Sequence, residues 1–433
     1  MSTSTSRRSR GLPTALAATL VGGLVLLPSC LAPGDEEDDV RSVIFVNGDG
    51  MAAAHREAGR LDQQGFDGQL AMDSLAVAGL QTTDPRDPLE TVTDSAAGAS
   101  AWATGVKTFN GGISVDVDGN PLPTIGAQAA EAGLATGLVT TAQVTDATPA
   151  AFFSSTTDRA LQDQIAGQYL EVNGPQVILG GGEDWWLPAG DEGAFPPRTG
   201  DAEDPEVSRS QQGDLLAQAE GLGYVHLSDA AGLAAAEGDR LLGLFANEEM
   251  FQMRAEGRGD EYSPVVPLAD MTAKALDVLS EDEDGFFLLV EEEGVDEMAH
   301  HNNGTRMLQA MRALDDAVQV AREYVAEHPD TLLVVTGDHE TGGLTIEDVD
   351  AKDESGPGGT LDGTPAPTQE RVSGEDGPFP VAGSDRTFVL DWTSSQHTGA
   401  PTVVTAEGPG SEALTGSYRN TRLYEVLSDA LLD

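Results

Sequence analysis

Four short, almost unbroken apolar runs decide how this chain can fold: Val43-Ile44-Phe45-Val46, Leu138-Val139-Thr140, Phe286-Phe287-Leu288-Leu289-Val290 and Leu332-Leu333-Val334-Val335. A strand with one wet face alternates apolar and polar residues, whereas a run that is apolar at nearly every position is covered on both faces. Between the runs lie helical patterns. The clearest is Met307, Ala310, Met311, Leu314, Ala317, Val318 and Ala321, a stripe at three- and four-residue spacing with Arg306, Asp315 and Arg322 on other faces. The alternation predicts an α/β fold with a mostly parallel central sheet flanked by helices on both faces. A length of 433 residues at 39% hydrophobic content suits one domain with long surface insertions. Residues 191–205 and 348–384, rich in Gly, Pro and acids, read as such excursions, the second overhanging any site nearby. Val177-Ile178-Leu179 closes on Gly180-Gly181-Gly182, which reads as a turn with no ligand-type residue aimed at it, and there is no internal repeat.

In open α/β sheets ligands gather beyond the carboxyl ends of the strands, and three of the runs stop at such a residue: Asp49, Glu291 and Asp338. Five scattered segments carry metal-type or hydroxyl groups: Asn47-Gly48-Asp49-Gly50-Met51, Thr93-Asp94-Ser95-Ala96-Ala97, Glu291 through Asp296 to His300, Thr336-Gly337-Asp338-His339 and Gln396-His397-Thr398-Gly399. Asp296 and His300 share one face of a helix, and Asp338-His339 sits at a strand end, so mixed Asp/His coordination of zinc fits. Asp49, Thr148 and Glu291 offer oxygen alone, which suits a harder ion. Asp146-Ala147-Thr148-Pro149 reads equally as a capped helix start. His55, His226 and His328 stand outside these segments and read as surface or hydrogen-bonded core residues. Ser95, followed by small residues that let a helix begin tightly behind it, is the candidate nucleophile. It has no histidine near it in sequence, so metal coordination is what would lower its pKa.

In order and residue type, the five segments together with Asp146-Ala147-Thr148-Pro149-Ala150-Ala151 resemble the alkaline phosphatase family over most of residues 43–432. The resemblance implies that family's fold and the hydrolysis of phosphate monoesters through a phosphoserine at Ser95, on two zinc ions and one magnesium. Residue by residue, it implies that Asp296, His300 and His397 hold one zinc and that Asp49, Asp338 and His339 hold the second beside Ser95. Asp49 would bridge to the magnesium, completed by Thr148 and Glu291, with Asp146 beside it. Arg159, thirteen residues beyond Asp146, takes the place of the phosphate clamp, its guanidinium offering two parallel donors, and Asp94 orients it or the metal shell. Glu297 is a departure, because relatives carry a basic or aromatic residue near the Asp146 position. Two acids there would draw the third metal in or repel an anionic substrate, unless Glu297 points into solvent. Phosphodiesterases and nucleotide phosphatases of the same superfamily are the rival enzymes, and a non-catalytic cation-binding surface lipoprotein is the rival of another class. The family also implies a homodimer.

The formal net charge of −50, with only three lysines (Lys107, Lys274 and Lys352), excludes nucleic acid as a natural partner. Acids crowd segments such as Glu281-Asp282-Glu283-Asp284 and Glu291-Glu292-Glu293, which read as loops, and the composition reads as halophilic, with a merely acidic secreted protein as the alternative. Residues 1–29 read as a signal peptide: Arg7, Arg8 and Arg10 precede an apolar run from Ala15 to Leu27, and Leu27-Pro28-Ser29-Cys30 resembles a lipoprotein signal. Arg7-Arg8 also loosely resembles a twin-arginine signal. Residues 30–39 then form an acidic tether and 40–433 the catalytic domain, with disulfides within one chain excluded because Cys30 is the sole cysteine. The protein is expected to be exported, periplasmic or cell-surface, touching a membrane only through a lipid anchor at Cys30. Self-repulsion of this size is screened at molar salt, where the Debye length is about 3 Å. The midpoint of thermal unfolding is therefore expected to rise by at least about 5 °C between roughly 0.1 M and 2 M salt; a midpoint independent of salt would contradict the halophilic reading.

Overall fold

The computed structural model describes residues 40–171, 174–195, 207–251, 266–348 and 374–432. The expected signal peptide, Cys30, the acidic tether and most of the 348–384 insertion lie outside the described residues. In chain order the strands are β1 (Ser42–Gly48), β2 (Val77–Thr82), β3 (Ala135–Gln143), β4 (Val177–Gly181), β5 (Val225–Leu227), β6 (Leu241–Leu244), β7 (Phe286–Glu292) and β8 (Thr331–Thr336). They continue with β9 (Glu340–Thr341), β10 (Leu344–Asp348), β11 (Gly374–Pro380), β12 (Thr387–Trp392), β13 (His397–Thr398), β14 (Thr402–Glu407) and β15 (Gly416–Arg419). Ten of them form one sheet in the order β15-β2-β14-β8-β1-β7-β3-β4-β6-β5. Only β14 runs antiparallel to its neighbours β2 and β8.

The four apolar runs become the four adjacent strands β8, β1, β7 and β3 at the middle of that sheet. Alternate residues feed two cores. Ile44, Val46, Leu288, Val290, Leu333 and Val335 enter one, and Val43, Phe45, Phe287, Leu289, Leu332 and Val334 enter the other, all fully buried. This is the mostly parallel, doubly covered sheet that unbroken apolar strands require. The stripe from Met307 to Ala321 lies on the helix Gly304–Glu327 and is buried throughout.

Three local expectations need correction. Asp315, expected on a face other than the apolar stripe, is buried all the same and accepts hydrogen bonds from the backbone N–H groups of Ala71 (2.9 Å) and Met72 (3.0 Å). Gly180 and Gly181 belong to β4, and the turn begins at Gly182. A side chain at Gly181 would meet the Glu248 carbonyl at 2.0 Å, so close backbone approach explains that glycine. Part of the 348–384 excursion is ordered sheet, since β11 pairs antiparallel with β12 and β12 with β10. Among the described residues no helix is long and apolar enough to cross a membrane.

Phe45 anchors the second core, with Trp102 at 5.2 Å and Phe152 at 5.5 Å between ring centroids. Phe45→Ala is expected to lower unfolding stability by about 3–5 kcal/mol, read from chemical denaturation in molar salt. A wild-type midpoint would show that this strand is not a core element.

Candidate metal centre and active site

Strand register assembles the site. β1 lies between β7 and β8, so Asn47 is paired with both Glu291 and Thr336, and Thr140 of β3 also faces Glu291. The acids that end these strands are thereby brought to one rim of the sheet. Asn47 Nδ2 donates to Glu291 Oε1 (3.2 Å) and Thr140 Oγ1 to Glu291 Oε2 (2.7 Å), while the Gly50 N–H donates to Asp338 Oδ1 (3.1 Å). Glu291 and Glu292 belong to the end of β7 and Glu293 lies just beyond it, all three buried, which corrects the reading of this segment as a loop.

Ser95 opens the helix Ser95–Thr104, every residue of which is buried. Asp94 caps that helix by accepting the Ala97 N–H at 2.9 Å. The small residues behind Ser95 let the helix press on the Asp338 turn, where a Cβ at Gly98 would stand 3.2 Å from the Asp338 Cβ. Gln81, fully buried, ties the same parts together: its Oε1 accepts from Trp102 Nε1 (3.0 Å) and its Nε2 donates to Thr336 Oγ1 (2.8 Å) and the Gly337 carbonyl (3.0 Å).

Ligand-type atoms of Asp49, Asp338 and His339 lie within 4.8 Å of one another, and so do those of Asp296, His339 and His397. His300 adjoins the second group, its Nε2 3.2 Å from Asp296 Oδ2 and 3.0 Å from His397 Nε2. Hydrogen bonds on the outer side of each ring fix which nitrogen faces inward. His300 Nδ1 meets the Ser395 carbonyl at 2.8 Å and His397 Nδ1 the Thr93 carbonyl at 2.9 Å, so both Nδ1 atoms donate and both Nε2 atoms face the centre. Thr341 donates its hydroxyl hydrogen to Asp296 Oδ1 in a short hydrogen bond, so it accepts from His339 Nδ1, 3.2 Å away. His339 Nε2 is thus left facing Ser95 Oγ (3.3 Å), Asp338 Oδ2 (3.1 Å) and Asp49 Oδ1 (3.5 Å). Asp49 Oδ1 and Asp338 Oδ2 are buried without a hydrogen-bond partner. Orphaned carboxylate oxygens beside inward imidazole nitrogens are a donor set that fits divalent metal.

The acids repel one another. Burial, then Asp338 and Asp296, push the Asp49 carboxyl well above its ordinary range. Burial raises Glu291 to about 8 against the Thr140 and Thr148 hydroxyls, and raises Asp338 to about 7 with help from Asp296. Asp296 goes the other way, since its burial is outweighed by His300 and the neighbouring imidazoles, which hold it well below the usual carboxylate range. Burial would lower His300, but Asp296 raises it to about 9, while burial keeps His339 neutral.

Arg159 Nη2 is 2.9 Å from Asp146 Oδ2 and its Nη1 3.5 Å from Asp94 Oδ2. Asp146 does precede a helix, Ala147–Phe153, yet its side chain makes no cap and serves Arg159 instead. Like Glu291 and His300 it stands outside the two ligand groups, and its carboxylate pairs with Arg159. Thr148 is buried next to Glu291. Ser95, Asp94, Arg159, Asp146, Asp296, His300 and His397 line one cavity of about 440 Å³. Glu297 and Glu293, both within the Glu291–His300 segment, line it too, as do Glu90, Val92 and Asn110, which no sequence motif marked. Of the histidines set aside, His55 is buried and accepts the Ala52 N–H (3.2 Å), and His328 stacks on Tyr324 with centroids 3.9 Å apart.

A serine hydroxyl beside grouped Asp and His ligands, with a guanidinium across the cavity, is the site of a metal-dependent hydrolase acting on an oxyanion. Comparison narrows the class. Residues 40–361 match the family model described as Alkaline phosphatase. Streptomycin-6-phosphate phosphatase of Streptomyces griseus is 32% identical over 97% of this chain and 98% of its own length. The alkaline phosphatase of Escherichia coli (strain K12) is 32% identical over 90% of this chain and 86% of its own. Among solved structures, the cold-active alkaline phosphatase of Shewanella sp. superposes with a TM-score of 0.71 at 29% identity, covering 90% of this chain and all of that one. A variant of the alkaline phosphatase of the Antarctic bacterium TAB5, with magnesium in its M3 site, matches at 26% identity and a TM-score of 0.67 over 91% of this chain and 98% of its own. The chain belongs to the alkaline phosphatase family, metal-dependent enzymes that hydrolyse phosphate monoesters.

Glu291, Asp338 and His300 have folded pKa values above their ordinary ones, so in their titration range the folded state binds more protons than the unfolded chain and stability falls as pH rises. Above about pH 7.5 the lowered His55, His226 and His339 are essentially neutral in both states and do not oppose this. In chelator the melting temperature is expected to fall from about pH 7.5 to about pH 9, with a shallower fall in Glu291→Gln and in the metal-loaded protein. A flat profile in chelator would contradict the electrostatics described.

Proposed function

We propose that the protein cleaves phosphate monoesters in two steps through a phosphoserine at Ser95, with two zinc ions and one magnesium. The residues fit these metals as follows: Asp49, Asp338 and His339 for one zinc, Asp296, His300 and His397 for the other, and Asp49, Thr148 and Glu291 for magnesium. The observation that carries the reading is Ser95 Oγ at 3.3 Å from Nε2 of His339, the residue shared by both ligand groups. Bound metals supply Lewis acidity, lowering the pKa of hydroxyl and water and offsetting charge on oxygen.

Ser95 attacks phosphorus as its alkoxide, held in place by the start of a buried helix, and the alcohol oxygen leaves in line. Arg159, drawn toward the cavity by Asp94 and Asp146, donates to two non-bridging phosphate oxygens as charge shifts onto them. The carbonyls of Ser395 and Thr93 and the Thr341 hydroxyl keep the three imidazoles in one tautomer throughout. Water then hydrolyses the Ser95 phosphoester and releases inorganic phosphate. Export, as the N-terminal sequence suggests, would place this reaction outside the cytoplasm.

Hydrolysis of an aryl phosphate monoester at alkaline pH in molar salt should vanish in chelator and return with zinc and magnesium. Ser95→Ala is expected to lose at least about 1,000-fold in kcat/KM and Arg159→Ala about 100-fold. Full activity in chelator, or a Ser95→Ala enzyme of wild-type rate, would overturn the proposal.

A further inference from the structure

Glu293 and Glu297 take no part in the metal sets assigned above, yet both line the cavity. Glu293 immediately precedes the helix Gly294–His300 and Glu297 follows four residues later, so the two carboxylates rise on one side of the same turn. Glu293 is 6% exposed, and its Oε2 is sealed from water without a hydrogen-bond partner. The charged groups facing the pair are Asp146, Glu249, Glu291, Asp296 and His300, so acids dominate. Asp146 already serves Arg159, Glu249 accepts from Gln143 Nε2 (2.6 Å), and His300 is held by Asp296. Adaptation to salt explains acids in solvent and does not explain one buried with an orphaned oxygen, because a buried carboxylate has to be met by a proton or a cation.

We propose that Glu293 and Glu297 hold an additional hard divalent cation, calcium or magnesium, on the cavity wall beside the phosphate position. The donors are all oxygen, which selects a hard ion over zinc, and water fills the remaining coordination. Such an ion sets positive charge where acids outnumber the cations Arg159 and His300, and so reduces the repulsion that a phosphate dianion would meet from Glu293, Glu297 and Asp146. The inference rests on the phosphatase reading for what the cation does, and on the orphaned Glu293 oxygen for where it binds.

The test is metal counting on the full chain in molar salt, which suppresses binding to surface acids. Protein loaded with zinc and magnesium is equilibrated with calcium, freed of loose ions and analysed for all three metals. Wild type is expected to keep two hard cations per chain, calcium plus magnesium, and Glu293→Gln/Glu297→Gln one, with zinc unchanged. One hard cation in wild type, or two in the double variant, would overturn the inference. Should the double variant not fold, Glu297→Gln alone is expected to weaken calcium binding at least tenfold with zinc retained, and unchanged calcium affinity would overturn it. Failure to retain zinc in wild type would instead count against the phosphatase metal assignment, whatever the number of hard cations.

Discussion

Asp49, Glu291 and Asp338 stand at the ends of three strands that are hydrogen-bonded neighbours, and burial leaves them facing one another with little water between. The remainder of the site answers that concentration of charge. Asn47, Thr140 and the Gly50 N–H each donate to one of these acids, yet Asp49 Oδ1 and Asp338 Oδ2 stay unpaired. Repulsion among ionised carboxylates in a low-dielectric setting has to be met by protons or by cations. Protons meet it when metal is absent, which is why Glu291 and Asp338 hold theirs toward neutral pH. The metal dependence of the family then follows from the sheet register as much as from the ligands themselves.

The catalytic groups are held by parts of the fold distant in sequence. Gln81 joins the Trp102 face of the Ser95 helix to the turn that carries Asp338, and Gly98 lets the two surfaces meet. His397 stacks on His339 with ring centroids 3.6 Å apart, and β13 reaches that position by pairing with β9, His397 opposite Thr341. A single ladder of two residues thus delivers the last histidine to the centre. Arg159 is positioned differently, by two acids that themselves begin helices, so its guanidinium enters the cavity already charged and directed.

Much of this was legible in the sequence because two patterns are local. Short, almost unbroken apolar runs alternating with helical stripes mark covered strands, and Asp49, Glu291 and Asp338 lie within three residues of the ends of such runs. The order of the segments around Ser95, Asp146 and His397 carried the family resemblance. What escaped was decided by partners far along the chain. Asp315 has the spacing of a surface residue, and its hydrogen-bond partners Ala71 and Met72 lie more than 240 residues away. Glu293 looked like one more acid in an acidic chain, because a burial imposed by tertiary packing leaves no periodic trace. Asp146 carries the signature of a helix cap, and only the return of the chain at Arg159 shows that its carboxylate is used elsewhere.

The central claim is that this buried rim of acids and imidazoles makes the Ser95 hydroxyl a nucleophile toward phosphorus. The most direct measurement is a rapid acid quench of the metal-loaded enzyme during turnover of a phosphate monoester, followed by peptide mass spectrometry. The account predicts one phosphate on the peptide that carries Ser95, absent when substrate is omitted. Phosphate on another residue, or turnover with no phosphorylated peptide under any quench condition, would contradict it.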